Sequence, residues 1–304
     1  MFGVINIYKP KGLTSHDVVG IVRKILGIKQ VGHTGTLDPF AHGVLPVCVG
    51  KATRLIEYFD DDKEYLATVK FGTATSTYDI EGEVTHTSQT VVSQEELLKE
   101  LENFKGKIKQ YPPKYSAVKV DGKKLYEYAR QGVQIEIKPR EVTVYNADLV
   151  SFDFEHQIAE IKIKCSKGTY IRSIANDLGV NLGCFGHLIE LERALAGKFA
   201  VENSVKLPVE ILPKQPEDKF VKYKIMNDAK SVLENNIQNP IEGMSMPVIN
   251  VDEEDYKRIR TGNPLTKSSD KIKSGDFLIL IYNNHMVAIG QYEGAKIKVK
   301  KVFV

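Results

Sequence analysis

The stretch G-H-T-G-T-L-D-P-F-A-H-G-V-L-P, Gly32 to Pro46, packs three glycines, two prolines, two histidines and one carboxylate into a loop that ends in an apolar run. Gly32, Gly35 and Gly43 permit positive φ or a close backbone approach to a ligand. Pro39 biases Asp38 toward an extended conformation, so that its carboxylate projects from the loop instead of capping the next turn. Val44 to Val49 reads as a short buried strand anchoring the far end. Asp38 is the only acidic residue between Asp17 and Glu57. A lone carboxylate in a glycine-rich, apolar setting is a candidate nucleophile or general base. The same residues also fit a structural turn, with Asp38 bonding nearby amides as loop aspartates do.

Upstream, Gly3 to Lys9 reads as a strand ending in the turn Lys9 to Gly12. Thr14 or Ser15 caps a helix whose buried stripe is Val18, Val19, Val22, Ile25 and Leu26, stopped by Gly27. Downstream, a helix is expected over Ala52 to Phe59. Tyr65, Ala67, Val69 and Phe71 then alternate on one face of a half-buried strand. A threonine-rich polar turn segment, Gly72 to Gly82, follows. Ser93 and Glu96 form a capping box, with Val92 and Leu97 placed as a hydrophobic staple, on a helix that Gly106 ends.

Residues 105–140 hold ten lysines and arginines against three acids, a net +7, while the whole chain nets only +3 and the remainder is therefore −4. Tyr111, Tyr115, Tyr126 and Tyr128 interleave with these cations. Phosphate-seeking charge beside stacking rings suits a looped or single-stranded RNA; a solvated lysine-rich surface has the same composition. Within this window Asp121-Gly122 signals a hairpin between Tyr115–Val120 and Lys123–Leu125, and Leu125 to Gln131 a short helix closed by Gly132. Val142–Val150 and Ile158–Cys165 read as a strand pair. A helix from about Tyr170 to Leu182 carries Arg172 in its first turn, where a cation opposes the helix dipole by ~0.3–1 kcal/mol. A carboxylate or a phosphate beyond the helix end would explain it; an arginine snorkelling into solvent is the alternative. His187 to Ala196 is a further strand. Pro208, Pro213 and Pro216 mark a change of texture, and Ile225 to Asn235 looks helical. Beyond Pro247, a short helix at Asp252–Arg260 and a hairpin, Phe277–Tyr282 with Val287–Tyr292, precede the lysine-alternating strand at Lys296. These are expected to form a satellite of about 60 residues.

At 304 residues, 42% hydrophobic and 27% charged, the composition is that of an ordinary globular protein. No run approaches the ~18 apolar residues of a membrane span, and no signal peptide is evident, so a cytoplasmic setting is expected. Cys48, Cys165 and Cys184 are too few and too far apart for a disulfide framework or zinc site, and the histidines lack metal-ligand spacing. A glycosidase would need two matched carboxylates where one is evident.

Six ordered segments resemble the bacterial tRNA pseudouridine synthase B family: Lys9–Val19, Val31–Val47, Lys63–Tyr65, Gly72–Gly82, Pro112–Gly132 and Ser166–Ser173. The resemblance runs from residue 3 to about 200. The C-terminal region is similar, on fewer cues, to a compact PUA RNA-binding domain. The resemblance implies an α/β (α+β) catalytic domain on a mixed, largely antiparallel sheet over residues 1–240, with 105–140 as an RNA-clamping insert, and a small β-barrel-like domain at 245–304. It implies isomerisation of uridine to pseudouridine in the tRNA T-loop, on a flipped base, without metal or cofactor. Asp38 matches the catalytic aspartate, Tyr65 the tyrosine that stacks on the base and is proposed to act as a base, and Arg172 the aspartate's partner. His33 matches the residue that enters the T-loop as the uridine leaves; Lys9 and Pro10 would buttress Tyr65, and Leu191 would line the pocket. Gly32, Thr34 and Tyr170 are assigned to the same pocket, and Lys119, Lys123 and Lys124 to the clamp. The expected partner is tRNA, through its T-arm and, at the C-terminal domain, its acceptor end, bound by a monomer. An RNA-guided ribonucleoprotein subunit and a non-catalytic RNA chaperone are the alternatives.

Overall fold

The computed structural model describes residues 1–213, 221–267 and 272–303; Pro216 lies outside them. Strand β1 (Phe2–Lys9) leads to helix α1 (Ser15–Leu26), whose N-cap is Thr14, in a capping box with Asp17, and whose stop is Gly27 at φ 66°. Next come β2 (Val31–His33), β3 (His42–Gly50) and β4 (Lys63–Phe71). Between β3 and β4 the expected helix is a 3-10 helix, Lys51–Tyr58, entered from Gly50 without a side-chain cap. A small hairpin, β5 (Thr73–Thr75) and β6 (Val84–Thr87), occupies the threonine-rich segment. Helix α2 (Gln94–Asn103) carries the Ser93/Glu96 capping box, and Val92 and Leu97 are both buried.

The basic window contributes β7 (Gly106–Gln110), the two-residue strands β8 (Lys119–Val120) and β9 (Lys123–Lys124), and α3 (Leu125–Arg130). Asp121 and Gly122 both have positive φ, 50° and 83°, as the tight hairpin turn requires. Strand β8 is much shorter than Tyr115–Val120, the carbonyls of Tyr111 and Tyr115 being taken instead by Ser173 Oγ and Arg172 Nη2. Then follow β10 (Arg140–Asp153), β11 (Ile158–Cys165), α4 (Ile171–Asn181), β12 (Gly186–Ala196), β13 (Phe199–Ala200) and β14 (Val205–Lys206).

These strands form one mixed sheet in the order β14-β1-β3-β12-β4-β11-β10-β7, with β2 beside β3 and β13 beside β12. The β1–β14 and β12–β3 pairs are parallel, and the remaining pairs are antiparallel. On one face, Ile5, Ile7, Leu45, Val47 and Val49 pack with α1. Tyr65, Ala67 and Val69 pack farther across with α2, α4 and the loop residues Leu37, Phe40 and Ala41. The Asp38 loop sits where these two apolar halves meet.

Of the stretch expected to be helical, Ile225 to Asn235, Ala229–Asn235 is helix, whereas Ile225 ends a short strand, Tyr223–Ile225, paired with Val209–Ile211. Tertiary pairing overrides the apolar spacing there. The C-terminal region is a curled, half-barrel sheet of five strands. Its long hairpin turns through Asn283 and Asn284 alone, both at positive φ, which asparagine tolerates. It has its own apolar core around Ile259, Leu278, Ala288 and Ile297. It is less of a satellite than its size suggested: Ile279, Met286, Ile289 and Phe303 also join Val4, Val44, Cys48, Leu55 and Phe59 in a shared cluster. No helix among the described residues is long and apolar enough to cross a membrane.

Candidate active site

Asp38 is suspended between two anchored arms of its loop. On one side Leu37 donates its backbone N–H to Ser15 Oγ at 2.8 Å, and Ser15 Oγ donates to the Leu37 carbonyl at 3.0 Å. On the other side the Pro39 carbonyl accepts from the Gly12 N–H at 2.8 Å and from Lys9 Nζ at 3.3 Å. The carboxylate is thereby free to point outward, as the Asp-Pro dipeptide suggested. About 32% of the Asp38 side chain is exposed, and its Oδ2 lies 2.8 Å from Arg172 Nε.

The carboxylate was therefore the anion that Arg172 required at the start of α4. Arg172 is nearly buried and reaches a second carboxylate as well, with Nη1 at 3.3 Å from Asp79 Oδ2. Its remaining donors go to the carbonyls of Thr77 at 3.1 Å and Tyr115 at 3.0 Å. Asp79 is itself buried, and accepts from Thr77 Oγ1 at 2.5 Å and from the Glu81 N–H at 3.0 Å. Burial raises the pKa of Asp38 above its ordinary value, against the opposing pull of Arg172, and the nearby Asp79 charge raises it further.

Tyr65 follows from the register of the sheet. Lys9 pairs with Gly43, Gly43 with Arg193, Arg193 with Tyr65 and Tyr65 with Ile163, so one row crosses five strands. Burial raises the Tyr65 pKa, and the Arg193 guanidinium beside it pulls the other way. A cavity of about 270 Å³ is lined by both residues together with Asp38, Arg172, Leu191 and Tyr170, at the small end of ligand pockets. Thr34, Asp61, Lys63, Ser116 and Lys167 also contribute to its wall. Tyr170 is fixed by Gln110, which donates to the Tyr170 carbonyl at 3.0 Å and accepts from its N–H at 2.7 Å.

Seven of the other expected site residues do not line this cavity. Lys9 is fully buried beneath the loop and donates to Leu13 and Pro10 carbonyls at 2.6 and 2.9 Å as well as to Pro39. Burial lowers its pKa to about 7. Through these bonds Lys9 supports the Asp38 loop from its buried side, and the Pro10 carbonyl helps hold the Lys9 side chain in place. Gly32 packs beside Ile56. His33 sits on β2 with its Nδ1 buried and unpartnered, and burial first, then Arg193, lowers its pKa, favouring the neutral ring. Lys119, Lys123 and Lys124 stand on the insert's hairpin, outside the cavity. The interleaved tyrosines there already receive cations: Lys123 lies over Tyr128, and Lys124 and Arg130 lie over Tyr126.

Asp79, Arg193 and Lys63 escaped the sequence reading. Asp79 lies in the threonine-rich polar turn segment, and Arg193 in a stretch, His187–Ala196, whose sequence indicates a strand and nothing about that side chain. Among the described residues, no cluster of histidine, cysteine and acidic side chains is arranged to hold a metal.

A mixed sheet that presents a recessed aspartate, its arginine and a buried tyrosine to one small cavity describes an enzyme pocket, not a passive RNA platform. Residues 23–171 match the model of the TruB family pseudouridylate synthase N-terminal domain. The tRNA pseudouridine synthase B of Caldanaerobacter subterraneus subsp. tengcongensis is 41% identical, over 99% of each chain. That of Clostridium kluyveri is 39% identical over 100% of each. Among solved structures, a chain of a Cbf5-Nop10-Gar1 complex superposes with a TM-score of 0.71 at 26% identity, covering 100% of this chain and 85% of that one. The chain belongs to the TruB family of pseudouridylate synthases.

Proposed function

We propose that this protein isomerises uridine to pseudouridine in tRNA, at position 55 of the T-loop. The observation that carries the reading is the Asp38–Arg172 ion pair at 2.8 Å facing a cavity with Tyr65 on its wall. The full-length likeness to relatives named tRNA pseudouridine synthase B supports tRNA as substrate. The target base leaves its stack to enter the cavity, since a base that must be rotated cannot react in place. Asp38 carries the cleavage of the C–N glycosidic bond and the re-formation of a C–C bond at C5. Tyr65 offers its ring to the flipped base and its hydroxyl oxygen to the proton released from C5, while N1 of the rotated base takes one up. No hydride, phosphoryl group or redox equivalent is transferred, so the scheme calls for no cofactor. Incubation with an unmodified tRNA transcript, followed by mapping of pseudouridine, tests this directly. Product at position 55 alone is expected, and its absence would overturn the assignment.

In this scheme residues 1–240 are the catalytic unit of a cytoplasmic monomer, 105–140 its clamp on the T-arm, and 245–304 its contact with the acceptor end. Lys296, Lys298 and Lys300 are exposed on the last strand, whereas Lys301 turns inward to Glu57 and the Arg54 carbonyl. The RNA-guided alternative is less well supported, because the likeness to the Cbf5 complex is at 26% identity and that to the stand-alone enzymes is at 41%.

Tyr65→Phe keeps the ring and loses the hydroxyl. RNA affinity is expected within about twofold of wild type and the single-turnover rate to fall about 10²-fold, the scale of general acid–base groups. A parallel fall in affinity would show that the hydroxyl's role is in binding. Replacing Lys119, Lys123 and Lys124 together by Ala should flatten the slope of log affinity against log salt by about 0.7–0.9 for each lost phosphate contact. The rate at saturating tRNA should be unchanged. An unaltered slope would move the RNA contact away from this hairpin.

A further inference from the structure

We infer that Arg193 is a positioning residue for the isomerisation, holding the incoming arm of the Asp38 loop and keeping a buried positive charge against Tyr65. The inference rests on the isomerase reading above. Arg193 is only 1% exposed, among the largest fully buried side chains of the protein. Its guanidinium makes three hydrogen bonds, all to carbonyls: Nε to Val44 at 2.7 Å, Nη1 to Thr36 at 3.2 Å and Nη2 to Gly35 at 3.1 Å. Gly35 and Thr36 lie three and two residues before Asp38. The residue directly after it, Pro39, is held through its own carbonyl by Lys9. A buried guanidinium and a buried lysine amino group therefore fasten the loop on either side of the reacting carboxylate.

A packing role alone does not explain the choice of arginine. Among the described residues Arg193 has no carboxylate within ion-pair distance, so its charge is compensated by dipoles alone. Removing a guanidinium from water on those terms costs more than burying an apolar side chain of equal volume. The three carbonyls are met by three different nitrogens, Nε, Nη1 and Nη2, a spread across the guanidinium plane that a single ammonium nitrogen does not have. The charge also has a neighbour that benefits: Tyr65 is opposite Arg193 in the strand register. Both side chains line the cavity, which places the guanidinium where its field acts on the site.

The test compares wild type, Asp38→Asn, Arg193→Met and Arg193→Lys for tRNA affinity, single-turnover rate at saturating tRNA, and melting temperature. Arg193→Met should lose about 10²-fold in rate, the usual penalty of a misplacement near 1 Å, with affinity within about threefold. Arg193→Lys should recover about tenfold of that loss, since it retains charge but not the fork. Rates within threefold of wild type in both variants would overturn the inference. So would a lowered melting temperature with an unchanged rate for the folded fraction, or a fall in affinity that matches the fall in rate. If Arg193→Met does not fold, Arg193→Lys alone decides, a rate at least about tenfold below wild type being the expected result and an unchanged rate the contrary one. A wild type that makes no pseudouridine would instead overturn the isomerase reading, which the variants cannot do.

Discussion

Asp38→Asn is expected to abolish pseudouridine formation, by at least ~10⁴-fold in single-turnover rate, while leaving tRNA binding within about threefold; losses of this size follow removal of the group that performs the chemistry. The variant should also be no less stable than wild type. Burial outweighs Arg172 in setting the Asp38 pKa, so the folded value lies above the unfolded one. A group so shifted contributes stability below its unfolded pKa, near 3.9, and loses it as pH rises through the folded pKa. At neutral pH the ionised carboxylate is thus held against the fold's preference, and an amide of the same shape removes that cost. Melting curves should show the variant at or above wild type at pH 7, with the difference shrinking as the pH is lowered. Retained turnover, or a clearly less stable variant, would contradict the assignment.

Arg172→Ala is expected to lose both activity and stability. Its side chain, 6% exposed, is the cation between Asp38 and the almost fully buried Asp79. Stripping the partner from a buried charge costs about 3–5 kcal/mol. The two carboxylates left behind should titrate upward, so the stability deficit should be greatest at neutral pH and diminish in acid, as protonation replaces the missing cation. Chemical denaturation at pH 7 and pH 5 would measure this. A deficit independent of pH would mean that the loss is one of packing and not of charge. The variant also loses the bonds to the Thr77 and Tyr115 carbonyls, so the insert should become more protease-sensitive.

What could be read from the sequence was what is local. The Ser93/Glu96 box, the Asp121-Gly122 turn and the alternation through Tyr65 each depend on residues within a few positions, and each formed as read. Arg172 was half legible: a cation at a helix start needs an anion, although which anion depends on a contact across 134 positions of chain. Arg193 was not legible, because its partners are backbone carbonyls about 150 residues away, and a carbonyl has no sequence signature. Asp79 was hidden for a related reason, since threonine-rich turns contain solvated aspartates as readily as buried ones. Lys9 came to attention through the family resemblance, and its position beneath the loop became clear only from the fold.

The apolar cluster shared by the two parts of the chain fixes how far apart their surfaces lie. Val4, Val44 and Cys48, on the back of the catalytic sheet, interlock with Ile279, Met286 and Phe303 of the C-terminal sheet. Arg54 closes the seam by donating to the Val302 carbonyl at 2.7 Å and covering the Phe303 ring. The separation between the cavity and the basic strand Lys296–Val302 is consequently set by packed side chains, not by the play of a tether. If RNA meets both parts as proposed, the protein would act as a gauge of fixed opening: an RNA whose two contact points match that interval would engage both ends, and one that is too short or too bent would give up one of them.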